Sequence, residues 1–191
     1  MSSFDFTSNY FEGARLNFDK CIQVLGKVDR VLEIGAHEGR SACYILENFL
    51  TDTGTLCSVD PQIDEVTRNR FNSNVALAKK PEQVVENLYD MSIPALSKLV
   101  ARRQQFDFVY VDGDHHNQTV IADAVLGWQL LRQGGIMLFD DYYPVLSEEG
   151  PKVGIDAFCM LYSNQFSWII TNHQIGLQKK IKNPGEVLWE T

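Results

Sequence analysis

The sequence predicts an α/β protein in which a mostly parallel sheet is covered by helices on both faces and closes on an antiparallel hairpin. Three observations predict it. Short β-prone runs alternate with stretches of helical periodicity along most of the chain. The strand runs are apolar at successive positions, as in Phe106-Asp-Phe-Val-Tyr-Val111, which marks strands buried on both faces. Glu33 to Gly35, Asp60, Asp112 and Asp140-Asp141 each close one of these runs, so separate segments deliver acids to one sheet edge.

Each element has its own signal. Tyr10, Phe11, Ala14, Phe18, Cys21, Ile22 and Leu25 recur at three- and four-residue steps and predict an N-terminal amphipathic helix. Arg30 to Ile34 is the first strand. Ala42, Ile45, Leu46, Phe49 and Leu50 form a helical face, and Thr55 to Val59 is the second strand. A weaker helical stretch follows from Asp64 to Ala78. The third strand lies within Gln83 to Leu88, and a short helix covers Ile93 to Ala101. Phe106 to Val111 is the fourth strand. Val120, Ile121, Ala124, Val125, Trp128 and Leu131 mark a helix that Gly134-Gly135 should stop, with Ile136 to Phe139 as the fifth strand. After a polar loop come a helix from Lys152 to Tyr162 and two strands, Trp168 to Thr171 and Gln174 to Ile181, joined at Asn172-His173.

Composition narrows the function classes. The 191 residues are 45% hydrophobic and 22% charged, ordinary for one globular domain over 1–191. With 17 Lys+Arg against 25 Asp+Glu, the net charge of -8 disfavours nucleic acid and anionic membrane surfaces as partners. No stretch reaches the roughly 18 to 20 apolar residues of a membrane span. Met1-Ser-Ser-Phe-Asp-Phe6 has neither the basic start nor the apolar run of a signal peptide. Cys21, Cys43, Cys57 and Cys159 show no metal spacing and are expected to be buried free thiols, so the expected location is cytoplasmic.

The chemistry gathers at the strand ends, where open α/β sheets bind ligands. In Val31-Leu-Glu-Ile-Gly-Ala-His-Glu-Gly-Arg-Ser41, Gly35 and Gly39 allow a tight strand-to-helix turn. His37 stands where a dinucleotide fingerprint has its middle glycine, and Glu33 and Glu38 would repel a pyrophosphate but suit a cationic ligand. A nicotinamide-dependent oxidoreductase is therefore disfavoured. Asp60, 25 residues after Gly35, can accept both hydrogen bonds of a ribose diol. Met91 and Ser92 follow the third strand, where an adenine ring would lie.

This combination resembles a class I S-adenosylmethionine-dependent methyltransferase. The resemblance runs from about Val31 to Lys180. Phe106-Asp-Phe-Val-Tyr-Val-Asp-Gly-Asp-His115, Leu131-Arg-Gln-Gly-Gly-Ile-Met-Leu-Phe-Asp-Asp141 and Gly150-Pro-Lys-Val-Gly-Ile-Asp-Ala-Phe158 look like the small methyltransferase family 24 group. They are also similar to the catechol and caffeoyl-CoA type of metal-dependent O-methyltransferase. The resemblance implies a Rossmann-like seven-stranded sheet of order 3-2-1-4-5-7-6 with its last strand antiparallel. It implies an N-terminal helical cap over 1–28 and a catalytic core over 29–182. S-adenosylmethionine would meet Glu33, Gly35, Ala36, His37, Gly39, Ser41, Asp60, Met91, Ser92 and Asp112. In the metal-dependent branch, acids matching Asp112, Asp140 and Asp141 hold a divalent cation.

Asp112, Asp140 and Asp141 would repel one another unless a cation or protons intervene, and hard oxygen ligands suit Mg²⁺, Mn²⁺ or Ca²⁺. Such a cation would lower the pKa of an acceptor hydroxyl. Without it, His115 would remove the proton beside Asp112, while His116 is expected to start a helix and face water. The expected acceptor is a small molecule: a sugar, phenol or natural-product hydroxyl. The alternative is a non-catalytic cofactor-binding or scaffold protein of the same fold. The N-terminal helix would cover the sheet edge, close over the substrate, or join copies of the chain into a homo-oligomer.

Overall fold

The computed structural model describes residues 3–143 and 150–182; the polar loop expected between Asp141 and Pro151 falls mainly on 144–149, outside the described residues. A single 3₁₀ turn, Tyr10–Gly13, leads into α1 (Arg15–Leu25) and β1 (Val28–Ile34). Then come α2 (Arg40–Tyr44), continued by a π-helical turn over Ile45–Phe49, and β2 (Leu50–Val59). The units α3 (Glu65–Ala78), β3 (Val84–Leu88), α4 (Ser92–Ala101), β4 (Phe106–Val111), α5 (Asn117–Leu130) and β5 (Leu131–Phe139) complete the parallel part. The last elements are α6 (Lys152–Leu161), β6 (Phe166–Thr171) and β7 (Ile175–Lys179).

The seven strands lie in the order β3-β2-β1-β4-β5-β7-β6. β1 to β5 pair in parallel, and β7 runs antiparallel to both β5 and β6. β4 shows why apolar residues occupy successive positions. Val109 and Val111 pack with Leu96, Trp128 and Phe158 on one face, while Phe108 and Tyr110 pack with Phe18 and Phe49 on the other. Each such fully buried large side chain contributes about 1.5 to 3 kcal/mol. The four cysteines are buried and unbridged. No helix among the described residues is long and apolar enough to cross a membrane.

Boundaries differ from the sequence expectation where strands begin early: Leu50 and Leu131, expected on helical faces, open β2 and β5. Gly134-Gly135 does not stop α5, which ends at Leu130, and both glycines lie inside β5. Lys179, from β7, donates to the carbonyls of Trp128 and Leu131 at 2.7 Å each and stops the helix with a cation. Its ammonium also lies 5.1 Å from the centre of the Trp128 ring.

The register positions the site. Ile34 is level with both Val59 and Val111, and Val111 is level with Phe139. Gly35, Asp60, Asp112 and Asp140 therefore follow their strands in one row. Backbone bonds extend the ladder through it: Gly35 to Val59, Asp112 to Ile34 and Asp140 to Val111, at 2.9, 2.8 and 3.0 Å.

Candidate active site

The glycine turn forms the floor of a cavity of about 520 Å³. Gly35 has φ +86°, and a Cβ there would sit 1.9 Å from the Asp112 carbonyl oxygen, so the ends of β1 and β4 press together without room for a side chain. Gly39, with φ +83°, opens α2, and a Cβ there would meet the Phe71 ring at 2.9 Å. Of the residues expected at a cofactor, Gly35, Ala36, His37, Ser41, Asp60, Met91, Ser92 and Asp112 line the cavity. Glu33 and Gly39 are not part of its wall.

Glu33, expected to meet the cofactor, lies beneath the turn. It is fully buried, and it accepts from the Ser41 hydroxyl at 2.5 Å and the Ser58 hydroxyl at 3.3 Å. It braces α2 against β1 and β2 beneath the turn instead of reaching a ligand. Burial pushes its carboxyl up to about 7. Gly39 serves the packing of α2 on α3.

Asp60 holds the turn itself. Its Oδ2 accepts the N–H groups of Ala36 and His37 at 2.8 and 2.9 Å, and its Oδ1 accepts the Gln62 N–H at 2.7 Å. Gln62, which the sequence did not single out, lines the same cavity and is 4% exposed. Its Nε2 donates to the His37 carbonyl at 3.0 Å, and its buried Oε1 has no donor among the described residues.

Glu38 also departs from expectation, because its charge is not offered to a ligand. The Thr7 N–H and hydroxyl donate to it at 2.6 and 2.7 Å, and Arg70 reaches it at 3.1 Å. Burial raises its carboxyl, but these donors reverse the shift and hold it below the usual range. The same acid thus ties residues 5–8 across the turn, helped by Arg40, which donates to the Ser8 carbonyl and lies over the Phe6 ring. Phe6, Ser8, Tyr10 and Phe11 form one wall of the cavity. The acids left on the wall are Asp60, Asp64, Asp112 and Asp114.

The second constellation is regrouped. Asp112, His115 and Asp141 each present a ligand atom within 4.8 Å of the others. Asp140, expected among the metal ligands, is outside this group, because the buried Tyr110 hydroxyl donates to its Oδ2 and the Asp141 N–H binds its Oδ1. His115 takes its place, with Nε2 3.1 Å from Asp141 Oδ2. That contact raises the His115 pKa against the opposing effect of burial. Burial, then the charges of Asp140 and Asp141, push Asp112 well above the usual carboxylate range. His116 is exposed at the start of α5, with Nδ1 2.6 Å from Asp114.

A methyltransferase-domain family model matches residues 32–142, from the end of β1 past the acid pair. The chain belongs to this methyltransferase family. A stretch of 117 residues is 30% identical to uncharacterized protein R132 of Acanthamoeba polyphaga mimivirus, covering 58% of this chain and 50% of that protein. The chain thus spans half the length of that relative. Among solved structures, the methyltransferase domain is similar to an O-methyltransferase from Bacillus cereus in complex with S-adenosylhomocysteine (TM-score 0.66, 19% identity, 93% of this chain and 84% of that one). It is similar to TomG of Streptomyces achromogenes, an O-methyltransferase of tomaymycin synthesis in complex with S-adenosylmethionine (0.65, 16%, 92% and 82%). MycE of the mycinamycin pathway, in complex with Mg and S-adenosylhomocysteine, matches at 0.63 and 15% over 93% of this chain and 52% of its own. At these identities the likeness is one of fold.

Proposed function

We propose that the chain is an S-adenosylmethionine-dependent O-methyltransferase whose acceptor is a hydroxyl on a sugar, phenol or natural-product scaffold. The observation that carries this reading is the double position of Asp112. It lines the cavity beside the glycine turn, and it also belongs to the group with His115 and Asp141. A methyl-donor site and a proton-handling group therefore share one wall.

The cavity fits the cofactor on its own chemistry. Its volume lies in the usual range for small-molecule sites, about 300 to 1,000 Å³. Besides Glu38, which Thr7 and Arg70 engage, its wall carries four acids, and the charge of Arg40 is turned onto Ser8 and Phe6. Bound there, S-adenosylmethionine supplies a methyl group on a cationic sulfur. The chain's own residues orient the acceptor and take its proton. Asp141 holds His115 by Nε2, which leaves Nδ1 to accept a proton from the hydroxyl. The net charge and the small cavity support a small-molecule acceptor over nucleic acid.

A second reading of the same group is favoured by the close approach of its three ligand atoms. Asp112, His115 and Asp141 would hold a divalent cation, which would acidify the acceptor hydroxyl. Two carboxylates and an imidazole suit Mn²⁺ at least as well as Mg²⁺. The test is transfer of labelled methyl from S-adenosylmethionine to a panel of sugar and phenol hydroxyls, with EDTA or added Mn²⁺. The base reading expects EDTA-insensitive transfer that His115→Ala lowers about 10²- to 10⁴-fold. Loss in EDTA and recovery with Mn²⁺ would select the cation. Cofactor binding without transfer to any acceptor would point to the non-catalytic alternative.

A further inference from the structure

We infer that Asp60 and Gln62 divide the reading of the ribose diol between them, and that the Gln62 amide oxygen accepts one of its two hydroxyls. The inference rests on the reading above, that the cavity takes an S-adenosyl cofactor. It begins from a count of acceptor positions. A carboxylate offers about four lone-pair positions. On Asp60 three are filled: two on Oδ2 by Ala36 and His37, and one on Oδ1 by Gln62. One position remains, while a diol brings two O–H donors.

The missing acceptor stands two residues further on. Gln62 lines the cavity, is almost fully buried, and has an Oε1 that no donor among the described residues reaches. The identity of that atom is fixed by its partner. The other end of the amide meets the His37 carbonyl, which can only accept, so the NH₂ must face it and the oxygen is the end left over. A buried acceptor of this kind is costly to leave bare, and a ligand hydroxyl would satisfy it.

The chain also accepts strain to hold Gln62 in place. Its φ is +37°, in the left-handed region that residues with a Cβ rarely adopt. Asp60 fixes its N–H, His37 its Nε2, and Arg68 donates to its carbonyl at 2.9 Å. His37 is itself left-handed, with φ +47°. The glycine turn and the residues after β2 thus lock one another, and a full ribose is selected over a deoxyribose.

The test is calorimetric titration of S-adenosylhomocysteine and its 2′-deoxy and 3′-deoxy analogues into the wild type, Gln62→Leu and Gln62→Asn. Asparagine tolerates the left-handed backbone and keeps a polar amide while withdrawing the acceptor and the bond to His37, so it covers the case in which the leucine variant misfolds. Both variants should weaken S-adenosylhomocysteine about tenfold. One deoxy analogue should bind variant and wild type alike, while the other is still discriminated through Asp60. Equal penalties for both analogues in the wild type and in both Gln62 variants would overturn the inference. A wild type that binds S-adenosylhomocysteine without this pattern refutes Gln62 alone; a wild type that does not bind it removes the cofactor reading and this inference together.

Discussion

The hydroxyl of Tyr110 donates to the carboxylate of Asp140, and this one bond sorts the acids at the sheet edge. The same hydroxyl lies 3.1 Å from Asp112 Oδ2, so a neutral group stands between two half-buried carboxyls. Asp140 is thereby turned inward, and Asp112 and Asp141 are left to His115.

Tyr110→Phe keeps the ring, which packs edge-on against Phe18 at 4.9 Å, and deletes only the donor. Two desolvated acids then face each other without it. Stability should fall by about 1 to 3 kcal/mol, read as a lower urea midpoint with an unchanged m-value. A midpoint at or above the wild type would mean that the hydroxyl does not hold the acids apart.

If the three-residue group takes a cation, its membership can be read directly. Mn²⁺ titrated by electron paramagnetic resonance should bind Asp140→Asn within about threefold of the wild type, because that acid serves Tyr110. Asp141→Asn and Asp112→Asn should each weaken binding about tenfold or more. The reverse order would place Asp140 back among the ligands.

Glu33 gives a pH dependence with a definite sign. Its folded pKa of about 7 lies above the ordinary carboxylate value, so across that interval the folded chain keeps a proton the unfolded chain has released. Stability from this group is full below the ordinary value, falls as pH rises toward 7, and levels off above. The total is of order 3 kcal/mol. Glu33→Gln should flatten this part of the curve between about pH 4 and 7, the range set by those two values. An identical slope in the variant would show that Glu33 ionises as freely as in the unfolded chain.

Thr7→Val removes one donor from the buried Glu38 while keeping the backbone N–H. The cost should be about 1 to 2 kcal/mol, with faster amide exchange at residues 5–8, and Thr7→Ser should restore both. Exchange unchanged in Thr7→Val would show that residues 5–8 are held elsewhere.

The strands were legible because their apolar runs have no other use. The run Phe106 to Val111 coincides with β4 residue for residue, and the row of Gly35, Asp60, Asp112 and Asp140 follows from where the runs end. What the sequence hid depends on distant partners. The end of α5 is set by Lys179, dozens of residues away, and the glycine pair nearby was a plausible but mistaken stop signal. Glu38 reads as an acid for a ligand until Thr7 and Arg70 are seen upon it. Gln62 carries no motif at all. Only its backbone angle and its unmatched oxygen mark it, and neither is written in residue type.

The central claim is that the Gly35 turn binds an S-adenosyl cofactor. The most direct test is calorimetric titration of S-adenosylhomocysteine into the wild type and Asp60→Ala, with and without Mn²⁺. Asp60 fixes the backbone of Ala36 and His37, so its loss should disorder the turn. Wild-type binding should be saturable with Kd of order micromolar, and lost in Asp60→Ala. No saturable heat from the wild type at concentrations up to about a millimolar, with or without Mn²⁺, would contradict it.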